Sequence, residues 1–228
     1  FEALKKLNKN PQFAHIENVE ERDLGFYKRL GLECVFKSYD YLCKASDLVG
    51  LKGDNFNSKR ASSNHFTKHY DFEYIRLELK HRQACLKLYD LWAKQRRAQN
   101  LGHIYQAMLE DSRISLKEAF GNYSALGFQG GIVKVNKEIK GFTFGFALNA
   151  HTFCVLYEIT DLCIKGLAQF IFRAFAQELR NYKYINVMDD SGLENLKKVK
   201  LSYHPDRLIP AYIVRETRGH PAAQGIPC

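Results

Sequence analysis

Between residues 128 and 215 the chain alternates short apolar runs with one strongly amphipathic segment, and this order restricts the fold more than any other feature. Gly130-Gly131-Ile132-Val133-Lys134-Val135 predicts a strand, Asn136-Lys137 a tight turn, and Ile139 to Leu148 the returning strand. Thr152 to Ile159 (TFCVLYEI) is apolar enough for a central strand. After Gly166, the residues Leu167, Phe170, Ile171, Ala174, Phe175 and Leu179 recur on one face of a helix. Tyr184 to Met188 predicts a fourth strand, running into Asp189-Asp190, and Gly192 to Lys200 a short helix. Leu208 to Val214 predicts a last strand, placed at a sheet edge because Pro210 cannot donate to a ladder. The order β-β-β-α-β-α-β is that of an α+β or mixed α/β domain. No Gly-x-Gly-x-x-Gly follows a strand, so this is not a Rossmann unit.

The first half is more helical. Phe1, Leu4 and Leu7 share one helical face, and Ile16, Val19, Leu24, Tyr27 and Leu30 form a second set ended by Gly31. Cys34-Val35-Phe36 and Tyr39 to Cys43 predict two short strands, and Ser46-Asp47 caps a helical turn. Residues 54–69 predict a polar helix, 74–79 a strand, 81–98 a strong helix with Cys85, Leu88, Tyr89 and Trp92 inward, and 103–125 one or two more helices.

Composition narrows the class. Hydrophobic residues make up 46% and charged residues 26%, which excludes a mostly disordered chain. No apolar run is long enough to span a bilayer. No N-terminal stretch reads as a signal peptide, so the expected location is cytoplasmic. Six scattered cysteines lack Cys-x-x-Cys spacing and read as buried free thiols of a cytosolic protein. The histidines His65, His69 and His81 have no metal-ligand spacing with a partner, so no metal is expected. The net charge is +9, and residues 52–97 hold eleven lysines and arginines against five acids. That suits a polyanion (tRNA, a nucleotide cofactor or anionic lipid headgroups) or simply a solvated helix face.

Several polar residues stand where chemistry is feasible. Glu158 and Asp161 flank the end of an apolar strand, where a desolvated carboxyl can accept a proton; a helix cap or an ion pair is the alternative. Asn186, Asp189, Asp190 and Ser191 end the next strand, where Asn holds an amide or hydroxyl and acids hold an ammonium, with Asp190 equally suited to cap the following helix. Lys197 and Lys200, three apart on one helix and followed by Ser202 and Tyr203, can clamp a phosphate or neutralise an oxyanion; a solvated surface is the bland reading. Tyr203 could protonate a leaving group. Gly166 opens a helix whose N-terminus can present N–H groups to an anion, or is a plain helix-start glycine. If Glu158 acts as the base, it and Asn186 are expected to face one another across a polar notch between their strands.

The strand and helix order is similar to the GNAT acyltransferase fold. Three stretches carry a closer likeness: Leu51-Lys52-Gly53 with Ser58-Lys59-Arg60-Ala61 and Asn64-His65-Phe66; Tyr157-Glu158-Ile159-Thr160-Asp161 with Gly166-Leu167-Ala168-Gln169; and Ile185-Asn186, Asp189-Asp190-Ser191-Gly192-Leu193, Leu196-Lys197 and Lys200-Leu201-Ser202-Tyr203 with Pro205. Over residues 34 to 215 these resemble the phosphatidylglycerol lysyltransferase C-terminal-domain-like family. The chain has Val187-Met188 where many members have Arg-Glu, and Lys197 where many have Arg.

The resemblance implies an α+β, GNAT-like mixed sheet flanked by helices, with two units in tandem. The first (1–98) would be partial, the second would span 99–218, and residues 219–228 would be a tail outside the fold. It implies an acyltransferase using aminoacyl-tRNA as donor, or acyl-CoA as ordinary GNAT enzymes do, with a lipid, peptide or protein acceptor and peripheral contact with an anionic membrane. A non-catalytic RNA-binding or scaffold module is the remaining reading. The residues implied for catalysis are Glu158, Asp189 and Asn186. Those implied for substrate binding are Lys52, Lys59, Arg60, Asn64, Asp161, Gly166, Gln169, Asp190, Lys197, Lys200, Ser202 and Tyr203.

Overall fold

The computed structural model describes residues 3, 6, 14–98 and 102–216. Phe1, Leu4 and Leu7 of the expected first helix, and the tail 219–228, lie outside the described residues. The described residues form two compact units, each discontinuous: one holds 14–40, 189–197 and 208–216, the other 41–98, 102–188 and 198–207. This differs from a division near residue 98, because elements on both sides of that point pack in the larger unit.

The smaller unit contains β1 (His15–Glu20), α1 (Leu24–Arg29), the first part of β2 (Leu32–Lys44) and nearly all of β8 (Arg207–Glu216). Its strands lie in the order β1-β8-β2. Buried Val19, Leu24 and Val214 form its core, with Ile16, Tyr27, Leu32, Cys34 and Tyr212 packed around them. Two expectations change here. Residues 15–20 form a strand, not a helix. A bulge lets Ile16 pair with Val214 and Val19 with Tyr212, so two core residues three apart share one face and imitate helical spacing. Strand β8 is interior, and its Pro210 lies just beyond the last β1 pair, Glu20 with Ala211. The two short strands expected between 34 and 43 are one strand, β2.

The larger unit is built on β2's end, β7 (Tyr184–Asn186), β6 (Thr152–Thr160), β5 (Glu138–Asn149), β4 (Gln129–Val135) and β3 (Phe72–Arg76), in that spatial order. Strands β3 to β6 are antiparallel neighbours, and β6 and β7 are parallel. The helix α6 (Leu167–Glu178) makes the crossover that a parallel pair requires. This mixed sheet flanked by helices is the GNAT-like α+β fold expected from the order of elements. Asn136 and Lys137, both at positive φ, close the β4–β5 hairpin as a two-residue turn.

Helices cover both faces. On one, α4 (Arg82–Arg97) and α5 (His103–Gly121) supply Cys85, Leu88, Tyr89, Leu116 and Phe120, packed on Ile132, Phe142, Phe144 and Ile159. On the other, α2 (Ala45–Gly50) and α6 pack Leu48, Phe172 and Phe175 on Phe153, Val155 and Ile185. There α3 (Asn57–His69) sends Phe66 against Leu167, Ile171 and Val133. The strand expected at 74–79 stops at Arg76, and a capping box between Glu78 and His81 turns the chain into α4. The described cysteines are free: Cys43, Cys85 and Cys154 buried, Cys34 half-buried and Cys163 exposed. No helix among the described residues is long and apolar enough to cross a membrane.

Candidate active site

A strand pair that separates creates the site. β6 and β7 pair at only three positions, ending with Cys154 beside Asn186. Asn186 Oδ1 accepts the Met188 N–H at 2.7 Å, and Met188 takes a positive φ of 59°, so the chain bends away. The bend is held on the β2 side, where Val187 N–H donates to Tyr41 O at 3.0 Å and Tyr41 N–H to Met188 O at 3.2 Å. β6 runs on to Thr160, and beyond Cys154 its β7-facing edge pairs with no strand among the described residues. The fourth strand therefore ends at Asn186, not at Met188.

A second irregularity decides which side chains face the notch. The β5–β6 register slips at Leu156: Gly145 pairs with Val155, but Phe144 pairs with Tyr157. Such a bulge reverses the faces of the residues beyond it. Val155 packs with the α2 and α6 cluster, whereas Tyr157 and Ile159 join the α4 and α5 cluster. Glu158 therefore points to the α6 side. Asn186, alternating with Ile185 of the α6-side cluster, points to the other side. The two do not face each other, and the register sets them about four residues apart along the strand direction. Asn186 is a turn former and not a partner of Glu158.

On the α6 side, Glu158 is surrounded by polar groups of the larger unit. Burial pushes its carboxyl up to about 8, against the opposing pull of Lys200 and Lys59. No hydrogen bond or ion pair reaches that carboxyl among the described residues. Lys59 Nζ lies 4.3 Å from the centre of the Tyr203 ring, a cation–π contact, and its own burial lowers its pKa. The Tyr203 ring also packs edge-on to Phe172 with centroids 4.8 Å apart. Burial, then Glu158, pushes the Tyr203 hydroxyl far above its ordinary range, so it keeps its proton. Lys200 at the end of α7 (Glu194–Leu201) donates to Val187 O and lies 5.9 Å from the Tyr41 ring centre. Directly across from Glu158 on β5 stands Thr143, fully buried, its hydroxyl without a hydrogen-bond partner among the described residues. Thr143 was not among the residues singled out from sequence, because one threonine inside an apolar strand carries no pattern.

The other expected residues divide by what they touch. Lys52 lines a surface hollow of about 420 Å³ with Ser46, Asp47 and Phe56. The Phe56 ring meets His204 at 5.3 Å. Arg60 is occupied: its guanidinium donates to the Leu51 and Gly53 carbonyls and to Asn57 Oδ1, bracing a loop in which Leu51 and Gly53 take positive φ. Replacing Arg60 with Ala is expected to cost roughly 1–3 kcal/mol in denaturant-unfolding measurements, from the loss of charged hydrogen bonds. Asn64 is exposed on α3, and Gln169 is half-buried on α6.

Asp161 is a clamp and not a base. Burial raises its carboxyl, but the Gln95 amide (2.9 Å), the Cys163 N–H (3.1 Å) and Lys140 (3.6 Å) outweigh it and lower the pKa. Ser202 Oγ donates to Val199 O at 2.6 Å and finishes α7. Gly166 has φ +84°, and a Cβ there would lie 2.1 Å from Ser62 O of α3. Gly166 and Leu167 are buried under that helix. Gly166 at the start of α6 is thus a packing joint with α3.

Asp189, Asp190 and Lys197 belong to the smaller unit. Asp189 accepts from Ser38 Oγ at 2.9 Å and from Ser191 N–H at 3.1 Å, with Lys37 at 3.8 Å. Asp190 accepts the Gly192 N–H at 2.9 Å, a turn ahead of α7. Lys197 lies on the helix surface, 3.7 Å from Glu194.

Comparison with known proteins agrees with this architecture. The family model described as "Phosphatidylglycerol lysyltransferase, C-terminal" matches residues 3–215. A conserved protein of unknown function from Bacteroides thetaiotaomicron is similar at 32% identity over 89% of this chain and 69% of that one, with a TM-score of 0.76. The structure of L-PGS from Bacillus licheniformis shares the fold at 14% identity over 90% of this chain and 68% of its own, with a TM-score of 0.65. No curated protein matches. With residues 3–215 matched, the chain belongs to the phosphatidylglycerol lysyltransferase C-terminal family.

Proposed function

We propose that this protein is an aminoacyltransferase, moving an aminoacyl group from charged tRNA to an amine or hydroxyl of a lipid, peptide or protein. The observation that carries the reading is Glu158, a half-buried residue whose carboxyl, without a hydrogen bond among the described residues, is pushed by desolvation up to about 8 where β6 has parted from β7. A carboxyl with that pKa exchanges its proton near neutral pH, as a general base requires.

In the proposed step the acceptor's nitrogen or oxygen attacks the aminoacyl ester carbon while Glu158 takes the acceptor's proton. The new bond to the acyl carbon forms as the ester bond to the ribose oxygen breaks. Tyr203, protonated across the working range, gives its proton to that leaving oxygen as it takes the one held by Glu158, so that both groups end in their starting protonation states. Lys59 and Lys200 favour the ionised form of Glu158 and offer positive charge to the oxyanion that develops. The basic run at residues 52–97 suits the phosphates of a tRNA terminus. The alternative donor, acyl-CoA, is less well supported, because the conformational freedom of Gly166 is taken up by packing against α3.

Labelled amino acids on a full tRNA pool, incubated with the protein and with lipid, peptide and protein fractions, test this reading. Transfer of label that disappears in E158Q is the expected result. No product from any charged tRNA, with label transferred from acyl-CoA under the same conditions, would overturn it.

A further inference from the structure

We infer that Thr143 is a positioning residue for Glu158: its hydroxyl donates a hydrogen bond to the carboxylate once the proton has left. The inference rests on the role proposed for Glu158, and it concerns how that side chain is kept available as a base. Thr143 and Glu158 are a direct cross-strand pair of β5 and β6, and the bulge at Leu156 puts both on the α6 side. Cross-strand partners have Cβ atoms about 4.5–5.5 Å apart, close enough for a threonine hydroxyl to meet a glutamate carboxyl after one rotamer change. Thr143 is 0% exposed, and its Oγ1 has no partner among the described residues. A buried hydroxyl left unpaired costs stability, so a donor held ready needs an acceptor in some state of the site. Glu158 in its ionised form is that acceptor.

β3 contributes Tyr74, whose hydroxyl lies over Gly131, the β4 partner of Thr143, and keeps its proton because burial and then Glu178 raise its pKa. α3 contributes Lys59, and α7 with the residues after it contributes Lys200 and Tyr203. Cys43 of β2 faces Tyr203 rather than Glu158, and burial pushes its thiol up to about 12. Lys59 sits on the Tyr203 ring and Lys200 on Val187 O. A hydrogen bond to the ionised form lowers an acid's pKa, so the hydroxyl enlarges the fraction of Glu158 able to accept a proton at neutral pH.

Thr143→Val keeps the shape and removes the donor. In T143V the rise of transfer activity with pH is expected to move up by about one pH unit, which is roughly a tenfold loss at pH 7 and little loss near pH 9.5. T143S should restore the wild-type profile. A second readout needs no substrate. The difference in Tm between wild type and E158Q, followed against pH, reports the Glu158 titration. Measured between T143V and T143V/E158Q, its midpoint should rise by the same unit, and T143V should be stable at low pH because a buried hydroxyl has become a methyl. An unmoved midpoint, or a uniform loss of activity at every pH, would overturn the positioning role and leave the role of Glu158 standing. If E158Q keeps full transfer activity, the proposed function fails, while a shifted midpoint would still establish the Thr143–Glu158 coupling.

Discussion

Glu158→Gln is expected to lower transfer by a factor of about 10² to 10⁴, the usual worth of a positioned proton acceptor, while making the protein more stable above neutral pH. Both effects come from the same burial. In the folded chain Glu158 holds its proton until about pH 8, whereas in the unfolded chain it ionises near the ordinary glutamate value of 4.5. Between those values the native state binds the extra proton, so the contribution of Glu158 to stability falls as pH rises. It is intact below about pH 4.5 and lost above about pH 8. Glutamine has no such titration. The Tm of E158Q relative to wild type should therefore grow through this window and then level off. In a chain of this size each kcal/mol is worth roughly 2–4 °C, so the gain is readable by calorimetry. An inactive variant whose relative Tm does not depend on pH would mean that Glu158 is not desolvated.

Gly166→Ala carries the second large effect, and it separates two readings of one glycine. The position has φ +84°, which costs an L-residue about 1–2 kcal/mol. An added Cβ would also lie 2.1 Å from Ser62 O and 3.2 Å from Phe66 Cβ. The backbone of α3 must move, and it is tied down by the fully buried Phe66 against Leu167 and Ile171. A loss of at least about 3 kcal/mol is expected in denaturant unfolding, with a matching fall in Tm. If glycine served only to admit a phosphate, G166A would fold normally and lose ligand affinity alone; a wild-type unfolding curve would contradict the packing role.

Much of the larger unit was legible because its signals are local. The runs at 130–135, 139–148 and 152–159 have strand length and apolar character, and the helix after Gly166 has one clear face. What escaped the sequence depends on partners far along the chain. Ile16 and Val19 imitate helical spacing because a bulge against β8 skips one residue between them. Pro210 signals an edge only while the position of β1 is unknown. The bulge at Leu156 turns Glu158 and Asn186 to opposite faces, which strict alternation along β6 hides. Glu158 itself was readable, as a lone acid in an apolar strand. Arg60 and Asp161 were readable as positions but not as roles. Each is satisfied by groups that the fold brings to it: the Leu51 and Gly53 carbonyls for one, Gln95 and Lys140 for the other. Thr143 gains its meaning only from the register that sets it opposite Glu158.

The proton on Glu158 is the point on which the account turns. Carbon-13 NMR of the protein labelled at the glutamate side-chain carboxyl, with E158Q used to assign the signal, follows that group directly through a pH titration. A midpoint near 8 is the result that a desolvated carboxyl without a hydrogen bond requires. A midpoint near 4.5 would show a solvated carboxylate and would contradict both the desolvated site and the proton transfer built on it.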